Sequence, residues 1–251
     1  MRIAVLGATG RIGATVSEIL TGRGHDVVAL TRTGGVDAYT GAGLSEALRG
    51  ADAVIDAGNT GITETAACVD FFRTVARRVS AAAADAGVRR IAVISIIGID
   101  EFTDGHYAGK LAQERQYRAG TVPVRVLRAA QFHEFTEMML EWTTDGDTAT
   151  IPAFRAQLVA AATVAEHLAD LVTADDGPAL LEVAGPEVWN LAEACAKVAA
   201  RRGHPALVRE ATESGDPDAG RQAGGALLPG PTAILAGPTL DEWLATREFV
   251  A

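Results

Sequence analysis

The sequence predicts an α/β fold with a doubly wound parallel sheet, and three observations favour this class. Short apolar runs of strand length alternate with segments of helical periodicity through the first half of the chain. The first apolar run ends in a glycine-rich loop, and a helical pattern follows it directly. Of the 251 residues, 48% are hydrophobic and 22% charged, which is typical of a packed globular chain. Parallel strands need crossover connections, so the alternation predicts βαβ units.

The elements follow from the position of each run. Strands are predicted over residues 2–6, 26–32, 51–58, 88–95, 122–128 and 180–185. Helices are predicted after the glycine loop as far as Gly22, and then over 64–86, 106–118, 132–143, 163–174 and 190–202. The stretch 212–232 is rich in Gly, Pro, Asp and Ala and predicts a loop or a mobile segment. In TLDEWLATR, Thr239 and Glu242 form a capping-box pattern that predicts a closing helix.

Charge and composition exclude several classes of protein. The net charge of −10 argues against non-specific nucleic-acid binding, which needs a basic surface. No apolar run approaches about 18 residues, so we expect no membrane span, and MRIAVLGATG does not resemble a signal peptide. Cys68 and Cys195 form no CxxC pair, and we expect both in the core of a cytoplasmic protein.

The loop Gly7-Ala8-Thr9-Gly10-Arg11-Ile12-Gly13 lies between the first strand and the first helix. Gly7 permits a tight turn, Gly10 lets the backbone approach a pyrophosphate, and Gly13 lets the helix pack closely on the strand. The helix N-terminus offers free N–H groups to phosphates. We therefore predict a dinucleotide-binding Rossmann fold, with cofactor contacts at Gly7, Thr9, Gly10, Arg11, Ile12 and Gly13.

The residues after the second strand favour NADP over NAD. An NAD site usually places Asp or Glu there to accept a hydrogen bond from the ribose 2′-hydroxyl. This chain has Thr31-Arg32-Thr33 instead. The guanidinium of Arg32 suits a 2′-phosphate, and Arg11 is a candidate for a second contact.

Together these motifs resemble the NmrA-like, atypical short-chain dehydrogenase/reductase family. The resemblance rests on GATGRIG (7–13), LTR after the second strand, GVRRIAVISIIGID (87–100), HYAGKLAQE (106–114), VPVRVLRAAQFHEF (122–135), EVAGPE (182–187) and DEWL (241–244). It implies an NADP-binding Rossmann core over residues 1–131, completed by about 160–186. It also implies a small substrate-binding lobe from residues 132–159 and 187–251.

The resemblance also implies roles for individual residues. Asp56, Ala57, Gly58 and Asn59 would lie beside the cofactor. Ser95 matches a strand-end serine near the substrate, and Lys110 matches the lysine that holds the nicotinamide ribose. The segment 129–132, which ends at Phe132, would pass the nicotinamide end.

The stretch HYAGK differs from the family pattern at the proton donor. Family members often carry two adjacent tyrosines here, and His106 replaces the first while Tyr107 keeps the second. Positions i and i+4 share a helix face, so His106 and Lys110 can both point at the cofactor. Three interpretations stay open: His106 is the general acid, Tyr107 takes over, or no donor is needed because the acceptor is a quinone or a dye cation.

An apolar stripe at helical spacing follows the predicted cofactor strand, and core packing and a substrate wall are equally good interpretations of it. The stripe consists of Phe132, Phe135, Met138, Met139 and Trp142. His133 and Glu137 are spaced i, i+4, but HEFTE lacks the second histidine of a zinc helix, so we expect no metal.

The sequence therefore favours an NADP(H)-dependent oxidoreductase that passes hydride to a planar aromatic, quinone-like or conjugated carbonyl substrate. We expect a monomer or a homodimer acting on a small molecule, without nucleic acid or membrane partners. Two alternatives stay open. One is a non-catalytic NADP-binding redox sensor, and the other is an accessory protein to an oxygenase in aromatic natural-product biosynthesis.

Overall fold

The structure is a computed structural model that describes residues 1–211 and 215–248. The strands are β1 (Arg2–Leu6), β2 (Asp26–Leu30), β3 (Ala53–Asp56), β4 (Arg90–Ile96), β5 (Val124–Ala129), β6 (Thr144–Asp145), β7 (Thr148–Ile151), β8 (Arg155–Ala156), β9 (Leu180–Ala184), β10 (Trp189–Asn190), β11 (Leu207–Glu210) and β12 (Ile234–Leu235). The helices are α1 (Arg11–Gly22), α2 (Leu44–Ala47), α3 (Thr65–Asp85), α4 (Gly105–Arg118), α5 (His133–Thr143), α6 (Ala161–Thr173), α7 (Leu191–Arg202), α8 (Ala219–Gly224) and α9 (Leu240–Ala245).

A seven-stranded sheet with the order β12-β9-β5-β4-β3-β1-β2 organises the fold. Strand β1 pairs in parallel with β2 on one side and β3 on the other, and β3 pairs in parallel with β4. The N–H groups of Ile91 and Ile97 donate to the carbonyls of Pro123 and Ala129, at one constant offset, as parallel strands do. The predicted α/β class with a parallel, Rossmann-type sheet is confirmed.

Helices cover both faces of the sheet. On one face, apolar side chains of the strands pack against α3 and α4 in a buried cluster that includes Ala4, Val54, Ile91, Val93, Val75, Val79 and Tyr117. Side chains alternate along a strand, so the fully buried Ile3 and Ile55 point to the other face. There Arg23, directly after α1, forms an ion pair of 2.7 Å with Asp170 of α6.

The predicted loop over 212–232 is wrong at 219–224, where α8 forms. Residues 212–214 of that predicted loop lie outside the described residues. The sequence of α8 has two glycines and no apolar stripe, so periodicity could not reveal it. Side-chain hydrogen bonds hold the segment instead: Arg221 donates to Asp218 at 2.9 Å, and the buried Gln222 donates to Asp216 at 2.7 Å.

Contacts divide the chain into two compact units. The first comprises Met1–Ser95, Asp100–Arg128 and Val164–Leu181, and the second Ile96–Ile99, Ala129–Thr163 and Glu182–Ala251. Within residues 1–211 and 215–248, no helix is long and apolar enough to cross a membrane. The predicted core of 1–131 and the substrate role of the remaining lobe stay predictions.

Candidate functional site

The glycine loop begins at the carboxyl end of β1, where the sheet order reverses between β2 and β3. Ligands of open α/β sheets bind at such a switch point. Gly7 has a φ of +76°, and a Cβ there would lie 2.6 Å from the carbonyl oxygen of Ala57. A Cβ on Gly13 would lie 2.0 Å from the carbonyl oxygen of Gly7. Both positions therefore require glycine for the fold itself.

Gly10 differs from these two glycines. A Cβ there would meet only the carbonyl oxygen of Gly7, at 3.3 Å, and the residue is exposed. Packing within the protein thus gives little reason for glycine at this position. Instead, its absent side chain leaves the backbone open to a ligand.

The N-terminus of α1 has no side-chain cap. Gly10 is the N-cap, and the first helical bond runs from the N–H of Ala14 to its carbonyl. The N–H groups of Arg11, Ile12 and Gly13 consequently have no partner within the helix. The side chain of Ile12 is buried, so only its main chain is available to a ligand, whereas Thr9 and Arg11 are exposed. This arrangement can bind an anion.

Two arginines near this end of the sheet have guanidinium groups that are unpaired among the residues that the structure describes. Arg32 lies in the turn after β2, where Thr31 Oγ1 accepts a hydrogen bond of 3.0 Å from the N–H of Gly34. Arg11 begins α1. Both side chains are exposed, and neither guanidinium has a hydrogen bond or an ion pair to any residue that the structure describes. Both can therefore contact a phosphate without breaking an existing bond.

The segment after β3 lies directly behind the glycine loop. The N–H of Ala57 donates to the carbonyl of Leu6 at 3.0 Å, and the N–H of Gly58 donates to Asp56 Oδ1 at 2.8 Å. Ala57 and Gly58 are half-buried and Asn59 is exposed. Asp56 itself is fully buried, so it orients this segment from the interior.

Lys110 on α4 is only 4% exposed, so its side chain is buried in the protein. Its Nζ donates to Gln113 Oε1 and lies 4.9 Å from the centre of the Phe72 ring. Burial lowers the pKa of Lys110 to about 8, and the nearby Asp56 and Glu114 raise it in part. Lys110 is therefore still mainly an ammonium at pH 7.

Sequence reasoning missed the hydrogen-bond partners around Lys110. Gln113 Nε2 and the Tyr117 hydroxyl both donate to Asp56 Oδ2, at 2.8 and 2.6 Å. Gln113 and Tyr117 follow Lys110 at i+3 and i+7, which places all three on one helix face. That spacing of polar side chains is the signal that could have indicated the network.

The environment of His106 lowers its pKa and favours a neutral ring at pH 7. Its ring packs edge-on against Phe72, with 5.4 Å between centroids. Burial, and to a smaller extent the charge of Lys110, lower its pKa to about 4. Tyr107 has a different neighbour, Phe102, at 4.8 Å between centroids. The two residues therefore lie on different faces of α4, as their rotation of about 100° predicts.

Gly109, the glycine of HYAGK on α4, allows α4 to approach α3 closely. A Cβ on Gly109 would lie 2.7 Å from Phe72 Cδ2 and 2.8 Å from Cys68 Sγ, both on α3. The glycine thus fixes the contact of the two helices next to His106 and Lys110. Cys68 is buried there, as predicted, and Cys195 is buried as well.

Ser95 lies in β4 and is 2% exposed. Its side chain points to the same sheet face as Ile91 and Val93, the face that carries α3 and α4. Its hydroxyl has no hydrogen-bond partner among residues 1–211 and 215–248. A buried hydroxyl without a partner is uncommon and fits a group that a ligand would contact.

The apolar stripe of α5 belongs to the second unit and has two parts. Met139 is buried in the core, whereas Phe135 and Met138 are half-buried and Trp142 is 65% exposed. The Phe135 ring lies 6.4 Å from Trp142 and 6.3 Å from Phe154 between centroids. The core interpretation therefore holds for Met139, and the side chains of Phe135, Met138 and Trp142 form an open apolar face.

The remaining residues of this segment have structural partners. Phe132 precedes α5, is half-buried and forms an isolated bridge with Val159. His133 Nε2 lies 3.1 Å from the carbonyl oxygen of Pro238, and Glu137 binds Arg247 at 3.0 Å. His133 and Glu137 therefore face different partners despite their i, i+4 spacing.

A sequence-family comparison decides the family. The profile of an NAD(P)H-binding family matches residues 7–175. The chain belongs to this NAD(P)H-binding family. The predicted NmrA-like, atypical short-chain dehydrogenase/reductase resemblance is thereby confirmed. A nicotinamide dinucleotide also fits the open backbone at Gly10, the uncapped N-terminus of α1 and the two arginines without partners among the described residues. No curated protein sequence matches the chain significantly.

Similar solved structures share the fold along almost the whole chain. An NADPH-dependent quinone oxidoreductase from Escherichia coli, complexed with NADPH, has a TM-score of 0.76 and 18% identity, over 97% of this chain and 98% of that chain. A nucleoside-diphosphate-sugar epimerase from Staphylococcus aureus has a TM-score of 0.74 and 16% identity, over 97% and 99%. MoeE5 in complex with UDP-glucose and NAD has a TM-score of 0.73 and 19% identity, over 98% and 97%.

Proposed function

We propose that the chain is an NADP(H)-dependent oxidoreductase that reduces a planar aromatic, quinone-like or conjugated carbonyl substrate. The cofactor choice rests on the exposed guanidinium groups of Arg11 and Arg32 near the uncapped N-terminus of α1, which have no bonding partner within residues 1–211 and 215–248. A 2′-phosphate would give both cations a partner, whereas the ribose hydroxyl of NAD would not. When bound, the cofactor supplies the hydride.

The chain's own residues bind and orient the dinucleotide. The open backbone at Gly10 and the free N–H groups of α1 would hold the pyrophosphate. Lys110 would hold the nicotinamide ribose, as the family resemblance implies. The buried hydroxyl of Ser95, which lacks a protein partner among the described residues, would donate to a substrate oxygen.

The state of His106 favours an acceptor that needs little help with protonation. Reducing a quinone to its hydroquinone takes one hydride and one proton, and water can deliver the proton to the phenolate product. A neutral, half-buried His106 is a poor acid at pH 7 because its pKa is lowered to about 4. The phenol of Tyr107 is then the remaining candidate donor.

Two further observations support a flat substrate. Phe135, Met138 and Trp142 form an open apolar face on α5 with two aromatic rings, and Trp142 is 65% exposed. Large exposed aromatic side chains are typical of binding surfaces. The similar E. coli structure is named as a quinone oxidoreductase. We therefore propose that this face contributes to substrate binding.

The test is an NADPH-oxidation screen with benzoquinones, naphthoquinones and aromatic ketones. We expect turnover with at least one quinone and a substantial loss of it in Trp142→Ala. His106→Phe and Tyr107→Phe are compared singly and together. Undiminished turnover in the double variant excludes both as donors, whereas absence of NADPH oxidation with every acceptor contradicts the proposed reaction.

A second candidate is an NADP-binding regulator without catalysis, and the neutral His106 at the donor position favours it. A regulator binds NADPH and oxidises none of it with any acceptor. Binding combined with turnover decides for the enzyme, and binding without turnover decides for the regulator.

A further inference from the structure

The carboxylate of Asp56 joins two parts of the proposed cofactor site. Asp56 is fully buried at the end of β3 and accepts three hydrogen bonds. Its Oδ1 accepts from the N–H of Gly58 at 2.8 Å, and its Oδ2 accepts from Gln113 at 2.8 Å and Tyr117 at 2.6 Å. One oxygen therefore holds the segment behind Gly7, and the other holds α4.

Asp56 also fixes the orientation of the Gln113 amide, which is 1% exposed. Because a carboxylate only accepts, the Nε2 end of the amide must face Asp56. The Oε1 end then faces Lys110 and accepts a hydrogen bond from its Nζ. The reversed amide would set oxygen against carboxylate and N–H against ammonium, which is repulsive at both ends.

We infer that Asp56, acting through the Gln113 amide, is the positioning residue that holds the Lys110 ammonium for the nicotinamide cofactor. The inference rests on the proposed function, in which Lys110 contacts the cofactor. Asp56 touches neither cofactor nor substrate in this account. It sets where the ammonium lies and balances its charge.

Glu114 also raises the pKa of Lys110, but less than Asp56 does, and the other neighbours of Lys110 are neutral. Glu114 on α4 is already engaged by Arg128 at 2.9 Å and by Arg118 at 3.4 Å. His106 on α4 is neutral near pH 7, and burial raises the pKa of Cys68 on α3, which keeps it a thiol. Phe72 contributes only the face of its ring. Asp56 on β3 is therefore the main charge that compensates the buried ammonium.

The sign of the electrostatic effect follows from these groups. Burial lowers the pKa of Lys110 to about 8, and Asp56 is the first among the charges that raise it. Removing the charge of Asp56 therefore lowers the pKa of Lys110 further. Tyr117→Phe removes one hydrogen bond to the same oxygen but leaves the charge, so it is the matched control.

The first experiment is NMR of protein labelled with ¹³C at lysine Cε. The chain has only two lysines, Lys110 and Lys197, so two signals are expected, and Lys197→Arg assigns them. We expect the titration midpoint of Lys110 to fall by about one pH unit or more in Asp56→Asn and to stay in place in Tyr117→Phe. Gln113→Met removes the relay without touching the carboxylate and is expected to lower the midpoint as well.

The second experiment measures the NADPH dissociation constant by nicotinamide fluorescence from pH 6 to pH 9. Wild-type affinity is expected to fall above about pH 8, and the fall is expected to begin about one pH unit lower in Asp56→Asn. An unchanged Lys110 midpoint in Asp56→Asn, or an equal shift in Tyr117→Phe, overturns the inference. A wild-type protein that binds no NADPH at any pH contradicts the proposed function instead, and the lysine titration still decides the role of Asp56.

Discussion

At the scale of single residues, burial decides the chemistry of His106. The ring is packed against Phe72 and lies near the Lys110 ammonium, and its pKa is lowered to about 4. The unfolded chain binds a proton at this site near pH 6.5, whereas the folded chain does not. The contribution of neutral His106 to the unfolding free energy is therefore fully present above about pH 6.5. It is lost as the pH drops toward 4.

This lowered pKa predicts a specific loss of stability in acid. Between pH 8 and pH 5, wild-type protein is expected to lose about 2 kcal/mol more unfolding free energy than His106→Gln. Urea unfolding at the two pH values measures the difference. His204→Gln, at a surface histidine, is the control and should keep the wild-type loss. Equal losses in wild type and His106→Gln would show that His106 titrates normally.

The sequence predicted residue types in the site better than their environments. Gly7, Gly13 and Arg32 could be interpreted because a motif links each to a local backbone requirement. Lys110 was predicted as a cofactor contact, and that role stays a prediction. Its partners Asp56 and Gln113 are 57 residues apart in sequence, so only tertiary packing brings them together.

At the scale of elements, the junction of β1 and α1 depends on Gly13. An alanine there would place its Cβ 2.0 Å from the carbonyl oxygen of Gly7, and backbone cannot move aside cheaply. We expect Gly13→Ala to lower the unfolding free energy by at least about 2 kcal/mol. Denaturant unfolding measures the change.

Gly22, the last residue of α1, is the matched control. A Cβ there has no neighbour within 4 Å. Gly22→Ala should be neutral or should stabilise the protein by up to about 1 kcal/mol, because alanine favours the helix. Similar losses in the two variants would mean that helix propensity, and not the close contact with Gly7, limits this junction.

Long elements were predictable from periodicity, and short ones were not. The helix α3 carries a repeating buried face, and its predicted bounds of 64–86 differ from Thr65–Asp85 by one residue at each end. The four-residue α2 and the strand β11 are too short to show a period. Strand β11 forms because it pairs in parallel with β7, a tertiary contact without a local signal.

At the scale of the whole molecule, a substitution at Gly10 is expected to affect ligand binding with little effect on folding. Its Cβ would meet only one atom, at 3.3 Å, so Gly10→Ala should change the unfolding free energy by no more than about 1 kcal/mol. Ligand binding stabilises a protein by about 2.7 kcal/mol at a concentration of 100 Kd. For a chain of this size we expect NADPH to raise the Tm by about 5–10 °C in wild type.

In Gly10→Ala that increment should disappear if the pyrophosphate binds at Gly10 as proposed, because the added methyl would then occupy its path. Differential scanning fluorimetry with and without NADPH measures both quantities in one experiment. A Gly10→Ala protein that keeps the full increment would show that the dinucleotide does not approach the backbone at this loop.

The fold class was predictable because it depends on sums over many residues. Alternating strand and helix patterns, with a glycine loop at the first turn, allow few sheet topologies. The net charge of −10 gives no hint of an anion site, because the site proposed above involves only Arg11, Arg32 and the backbone of α1. The proposed function is therefore inferred from local geometry and could not be inferred from bulk composition.

Titration of NADPH and NADH into wild type and Arg32→Ala tests the proposed NADP site at Arg32 and Arg11. We expect wild type to bind NADPH at least about tenfold more tightly than NADH, and Arg32→Ala to lose most of that preference while its NADH affinity stays unchanged. Arg49→Ala, at a solvent-exposed ion pair with Glu46, is the control and should behave as wild type. Tighter binding of NADH than NADPH by the wild-type protein would contradict the proposed preference for NADP.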